Sequence, residues 1–178
     1  ETLGFPVVLK KPDSAFSQGV VKVSTPEELQ ERIDQFLDTS ELIVAQEFLP
    51  TTFDWRIGII DGRPLFACKY YMAQDHWQII RQDRSGDSRY GKAETLPVEL
   101  APRAAVRIAL RAANLIGNGF YGVDVKQSGG KFYVIEVNDN PNADSGVEDQ
   151  ILKEDLYRRI MEVFLRRIEQ KKAGLANS

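Results

Sequence analysis

The sequence predicts an α+β fold built on largely antiparallel sheet. Three observations carry that reading. Valine- and aromatic-rich runs occur in neighbouring pairs, two of those pairs are joined by hairpin signals, and single amphipathic helices fall between the pairs. A doubly wound parallel sheet would instead need regular strand-helix alternation, which the chain lacks.

Taken in order, "FPVVLKK" and "GVVKV" read as two strands separated by the polar loop "PDSAFSQ". "TPEELQERIDQFLDTS" then opens a helix, with Thr25 as cap, Pro26 in the first turn and Glu28 completing a capping box. Its Leu29, Ile33, Phe36 and Leu37 share one face. "LIVAQEF" is a strand, and "FDWRIGII" and "RPLFACKYYMA" flank Asp61-Gly62, a strong hairpin signal. "HWQII" reads as a further strand, and residues 81–94, crowded with charge, Ser and Gly, as a long loop of the kind that is either functional or disordered. Residues 98–116 form a helix ended by Gly117. "FYGVDVKQ" and "KFYVIEVN" make a second hairpin about Ser128-Gly129-Gly130, and an amphipathic helix from about Glu148 to Lys171 closes the chain. Pro50, between Phe48 and Thr52, marks a hinge.

The 178 residues are 43% apolar and 28% charged, enough for one core or two small lobes. A net charge of −3 and a pI near 5.3 give no electrostatic case for nucleic acid or an anionic membrane. The single cysteine, Cys68, rules out an internal disulfide, argues against a zinc cluster and fits a reducing cytoplasm. No run approaches a membrane-spanning length and no basic-then-apolar leader is present. The chain opens on "ETLGFPVVLK", without Met and already entering a strand, so a fragment of a longer protein is expected.

Chemistry concentrates in "KFYVIEVNDNPN". Strict alternation places Glu136, Asn138 and Asn140 on one face, opposite Ile135 and Val137. If Gln127 pairs with Lys131, Asp124 faces Val134 and lies diagonal to Glu136, with backbones roughly 7–8 Å apart, so both carboxylates can share one divalent ion. Asn138 extends that face. Asp124, Glu136 and Asn138 offer only oxygen, which suits Mg²⁺ or Mn²⁺ and suits zinc poorly. The plainer alternative is an ordinary two-faced hairpin followed by turn-forming Asn, Asp and Pro. Phe132 and Val134 share the Glu136 face in this register, so the face is expected to be partly buried. Two carboxylates there would repel without a cation.

Other signals are weaker alone. Lys10 and Lys11 end a strand where an amine can neutralise phosphate, and Ser14, Ser17 and Gly19 follow with hydroxyls and backbone N–H groups; solvated strand-end lysines are equally ordinary. Neither GxxxxGK[ST] nor GxGxxG occurs. Glu47 and Asp54 bracket the hinge, and Arg56 shares a strand face with Asp54, an arrangement that surface ion pairs also produce. His76 reads as structural and Cys68 as core, and no nucleophilic relay can be assembled.

In this order, a strand ending in Lys, a polar loop, a strand, a capped helix, "QEFL", "FDWR", "GVDVK" and "VIEVNDNPN" resemble the ATP-grasp superfamily, in particular its RimK-like ligases. The resemblance covers nearly the whole chain. It implies two subdomains with largely antiparallel sheets gripping a nucleotide between them: a partial lid over residues 1–48, and a metal- and nucleotide-binding subdomain over 49–178. Lys10 would contact the ATP phosphates under a flap containing Ser14, Ser17 and Gly19. Glu47, Phe48 and Leu49 would meet adenine largely through backbone, Asp54 the ribose, and Arg56 phosphate or the developing negative charge. Asp124, Glu136 and Asn138 would bind the Mg²⁺ ions. The flap keeps only Gly19 where relatives carry more glycine, and "HWQII" stands where RimK has an arginine and an asparagine. The family's substrate domain would lie upstream of residue 1, making this chain an incomplete enzyme.

The implied reaction is ATP-dependent amide formation through an acyl phosphate, joining a carboxylate and an amine borne by a small molecule, peptide or protein. Addition of an amino acid such as glutamate to an acceptor is one form of it. Two rivals stand beside it. A nucleotide-binding regulatory module would keep Lys10 and the hinge without turnover, and a structural domain would be indifferent to ATP and Mg²⁺.

Overall fold

The computed structural model describes residues 3–12, 19–82 and 88–176. Ser14 and Ser17 therefore lie outside the described residues, as does the middle of the 81–94 segment. The chain divides into two compact units, Glu1–Pro50 with Ile80–Arg89, and Thr51–Ile79 with Tyr90–Ser178.

In the first unit, β1 (Val7–Lys10) runs antiparallel between β2 (Val20–Val23) and β3 (Val44–Glu47). Helix α1 (Pro26–Leu37) covers one face of this sheet. Thr25 Oγ1 accepts from Glu28 N at 3.2 Å, while Glu28 reaches back to Ser24 N at 2.8 Å, so the capping signal organises the first turn as its sequence predicts. Val7, Leu9, Val23 and Phe36 form the core of the unit, with Leu29 and Ile33 packed against it. Period-two alternation puts Val8, Lys10 and Lys22 on the other face, where Val8 and Lys22 are register partners.

The second unit is a five-stranded antiparallel sheet in the order β10-β9-β4-β5-β8. Its strands are β4 (Phe53–Ile60), β5 (Arg63–Tyr71), β8 (Ala93–Leu96), β9 (Phe120–Ser128) and β10 (Lys131–Asn138). Asp61 and Gly62 turn the β4-β5 hairpin with φ of 52° and 70°, the left-handed pair that a tight two-residue turn requires.

Helix α2 (Arg103–Ile116) lays Ala105, Ala109 and Ala113 on the sheet; side chains this small allow close approach to Trp55, Ile57, Ile59, Val123 and Val125. Helix α3 (Glu154–Ala176) packs Leu156, Tyr157, Ile160 and Val163 on the opposite face, against Ile60, Phe66 and Cys68. The rest of that second face is polar.

Several expectations are corrected. The helix expected over 98–116 is a short 3₁₀ turn at Val98–Leu100 followed by α2, because Pro102 cannot continue a helix from the preceding turn. The last helix begins at Glu154 rather than Glu148; Lys153, with φ of 54°, interrupts the helical conformation just before it. "HWQII" enters a strand only at its last residue, in β6 (Ile80–Gln82), which pairs with β7 (Ser88–Tyr90). The supposed loop over 81–94 also contains the start of β8, in register with β5 from Tyr70↔Ala93 to Ala67↔Leu96.

The second hairpin differs in register as well. Ser128 pairs with Lys131 about a two-residue Gly129-Gly130 turn, and a bulge between Val134 and Glu136 shifts the register again. Asp124 therefore stands directly opposite Glu136, not diagonal to it. The bulge breaks strict alternation: Phe132, Val134 and Val137 pack towards the α2 core, while Glu136 is exposed.

Candidate active site

The polar half of the second unit's sheet is built from cross-strand rows. In the central row Arg56 on β4 pairs with Asp124 on β9, which pairs with Glu136 on β10. Directly opposed side chains in a sheet lie within contact distance, so register alone brings this row together. Arg56 Nε and Nη2 donate to Asp124 Oδ1 and Oδ2, both at 2.7 Å. Two parallel N–H···O bonds fix the guanidinium plane as well as its position. Burial opposes the Arg56 charge, but Asp124, then Glu136 and Glu148, more than offset it and raise the pKa.

One step along, Asn138 Nδ2 donates to Gly122 O at 3.3 Å and Glu136 Oε1 at 3.2 Å. Gly122 matters through its missing side chain: a Cβ there would stand 2.7 Å from Pro141 Cβ. "NDNPN" can fold back against β9 because position 122 is empty of side chain.

In the adjoining row, Lys126 Nζ donates to Asp54 Oδ1 at 2.7 Å, Asp54 Oδ2 at 2.9 Å and Thr51 Oγ1 at 2.7 Å. Thr51 Oγ1 in turn donates to Asp54 Oδ1 at 2.8 Å. Burial nevertheless pushes the Asp54 carboxyl above its ordinary value, against the pull of Lys126. Beneath Arg56 lies Tyr70, with the guanidinium carbon 5.2 Å from the ring centre. Tyr70 Oη donates to Glu148, a carboxylate only 1% exposed.

In the first unit, Lys10 is half-buried at the end of β1, opposite Val44 in register. Glu47 pairs with Val7, three positions from Lys10 and so on the opposite face of the sheet, and is exposed; Phe48 and Leu49 are half-buried. Lys22 Nζ lies 4.6 Å from the centre of the Phe48 ring. Leu3, Phe5, Pro6, Glu47 and Phe48 line a cavity of about 260 Å³.

Residues 1–164 match the RimK-like ATP-grasp domain. The chain belongs to this family. A "Probable alpha-L-glutamate ligase" of Teredinibacter turnerae is 31% identical over 147 residues, covering 82% of this chain and 46% of the relative. A "D-alanine--D-alanine ligase" of Geobacter sulfurreducens is 28% identical over 170 residues, covering 90% and 54%. The chain spans about half the length of these curated relatives. Among solved structures, the D-alanine--D-alanine ligase of Bacillus anthracis superposes with a TM-score of 0.70 at 20% identity, over 94% of this chain and 57% of that one. The ATP-grasp ligase PsnB gives 0.51 at 20% identity, over 78% and 40%. The fold of this RimK-like chain is thus the ATP-grasp fold.

Within it, the structure brings together Arg56, Asp124, Glu136 and Asn138, with Asp54 in the neighbouring row. Thr51, Lys126, Tyr70 and Glu148 escaped sequence reading. Lys126 had a usable signal, since it is two residues from Asp124 and shares its face. Glu148 had none, being distant from Tyr70 in sequence and outside any regular strand.

Proposed function

We propose that this chain is the nucleotide- and metal-binding part of an ATP-dependent carboxylate-amine ligase. The observation that carries the reading is the Arg56-Asp124-Glu136 row, with Asn138 beside it, on one sheet face of a RimK-like ATP-grasp chain whose relatives are named as ligases.

The donor set fits Mg²⁺. Asp124 and Glu136 are opposed, and the carbonyl oxygen of Asn138 is the third hard donor. Among the described residues no group of three His, Cys, Asp or Glu side chains could hold a metal, so an amide oxygen is needed to complete the set. Both Asp124 oxygens accept from Arg56, so an ion sharing Asp124 must share it with the guanidinium. When bound, Mg²⁺ would neutralise phosphate charge and lower the barrier to phosphoryl transfer.

Lys10 and Arg56 stabilise the negative charge spread over the transferring phosphoryl oxygens. Ser14, Ser17 and Gly19 supply the flap over the phosphates, the backbone of Glu47, Phe48 and Leu49 meets adenine, and Asp54 the ribose. Lys126 and Thr51 hold the Asp54 carboxylate in place. A substrate carboxylate oxygen attacks the γ-phosphorus as the bond to the ADP oxygen breaks. The acyl phosphate then accepts an amine at carbon and releases phosphate, which keeps the attacking oxygen. Positioning and charge stabilisation suffice, and no side-chain nucleophile is required.

Glutamate is the proposed donor or acceptor class, because relatives sharing 31% identity carry glutamate ligase names. The test uses the full-length protein, ATP, candidate amine acceptors and glutamate labelled with ¹⁸O in its carboxylates. Label appearing in released phosphate, dependent on acceptor, supports the acyl-phosphate ligase. ATP turnover that leaves phosphate unlabelled across a panel of labelled carboxylates contradicts it.

A further inference from the structure

Glu148 is a buried carboxylate that the proposed reaction does not use. It sits in the turn before α3 and is 1% exposed. Its Oε1 accepts from Tyr70 Oη, and its Oε2 accepts from Asp144 N at 2.7 Å. Taking a carboxyl group out of water is costly, so its place in the interior calls for an explanation.

Holding the 144–149 turn is an insufficient one. That turn has independent anchors: Thr95 Oγ1 donates to Val147 O at 2.7 Å, Gly146 N to Asp149 Oδ1 at 2.7 Å, and Tyr157 Oη to Asp149 Oδ2 at 3.2 Å. What Glu148 alone does among the described residues is accept from the hydroxyl of Tyr70. Tyr70 lies on β5 two residues from Cys68, the register partner of Arg56, and its ring is the platform below the guanidinium. A cation over a ring face is held electrostatically, and a ring fixed at its hydroxyl holds that cation in one place. Through Asp144 N, the same carboxylate also fixes the segment that follows Asn138.

We propose that Tyr70 and Glu148 are positioning residues that act together to hold Arg56 over the reacting phosphate, a role that rests on the ligase reading above. Asp124 grips the guanidinium from the front and Tyr70 supports it from beneath. Glu148 sets the height and tilt of that support, so two acids on different elements fix one cation.

The test uses the full-length protein with ¹⁵N-labelled arginine and three variants: Tyr70→Phe, Glu148→Gln and the double. The Arg56 Nε–H resonance, assigned with Arg56→Lys, reports how firmly the guanidinium is held, and needs no ligand. The affinity for a nonhydrolysable ATP analogue with Mg²⁺ and the melting temperature are read alongside. Either single change is expected to speed Arg56 Nε–H exchange with water at least tenfold and weaken the analogue threefold or more, with little further effect in the double. A lowered melting temperature with unchanged Arg56 exchange overturns the proposal and leaves Glu148 a structural anchor. Tyr70→Phe, which keeps the ring and removes one oxygen, carries the test if Glu148→Gln does not fold. Absence of analogue binding in the parent protein counts against the nucleotide reading, while the exchange measurement still decides the positioning.

Discussion

Arg56 and Asp124 stand directly opposite one another on neighbouring strands and close a two-pronged ion pair, both contacts at 2.7 Å. Their side chains are only 16% and 13% exposed, so the pair is shielded from the water and salt that weaken surface pairs. Glu136 adds a second negative charge on the next strand, which makes Arg56 the counter-ion for two acids.

Removing Arg56 should therefore expose a repulsion that a metal can relieve. Arg56→Met is expected to lower stability by about 3 kcal/mol, the low end for breaking a buried pair. Adding Mg²⁺ should raise the melting temperature of this variant more than that of the parent. Calorimetric melts with and without Mg²⁺ measure both effects.

The Asp54-Lys126 pair predicts a pH effect of definite sign. Burial holds the Asp54 carboxyl above its ordinary 3.8, so the folded state takes up its proton more readily than the unfolded state. Stability contributed this way is present at low pH and lost as pH rises from the unfolded pKa through the folded one. Lys126→Met removes the opposing pull and should extend that loss to higher pH. Denaturant midpoints across the acid range should show a steeper fall with rising pH in the variant than in the parent.

Asp61 predicts the opposite sign. Its hydrogen bond from Arg167, with Arg166 nearby, holds the carboxyl below its ordinary 3.8. Its stabilising contribution is present above the unfolded pKa and lost as pH falls through the folded value. Asp61→Asn should flatten the loss of stability below about pH 4, read from acid denaturation curves. The same bonds tie α3 to the β4-β5 turn, so the variant should also loosen the end of α3.

Cys68 should be chemically silent in the folded protein. Burial pushes its thiol up to about 12, against a hydrogen-bonding contact with Thr95 Oγ1 at 3.1 Å. Only the thiolate reacts. A disulfide reagent at neutral pH should modify the thiol no faster than global unfolding permits.

Local chemistry was the legible part of this chain. Asp61-Gly62 and Thr25 through Glu28 act within a few residues, and both formed as their sequences predict. Glu136 and Asn138 could be set side by side for the same reason, being two apart on one strand. Their geometry was not. The two-residue turn shifts the expected register by one and the bulge between Val134 and Glu136, which has no sequence mark in "KFYVIEVN", by one more; together they move Asp124 from a diagonal to a direct partner. Strand β8 was hidden because "AETL" is short and polar, and its pairing with β5 supplies what its composition does not. Tyr70 and Glu148 meet through tertiary packing alone, which no periodicity encodes.

In the proposed function, Asp124, Glu136 and Asn138 hold a divalent ion for a nucleotide. Isothermal titration of the full-length protein with a nonhydrolysable ATP analogue, with and without Mg²⁺, tests it most directly against Glu136→Gln. That change keeps the side chain's shape and leaves the Arg56-Asp124 pair in place. The predicted result is binding strengthened by Mg²⁺ in the parent, and at least a tenfold loss of that strengthening in a variant that melts normally. Equal Mg²⁺ enhancement in parent and variant, or binding indifferent to Mg²⁺ in both, would contradict it.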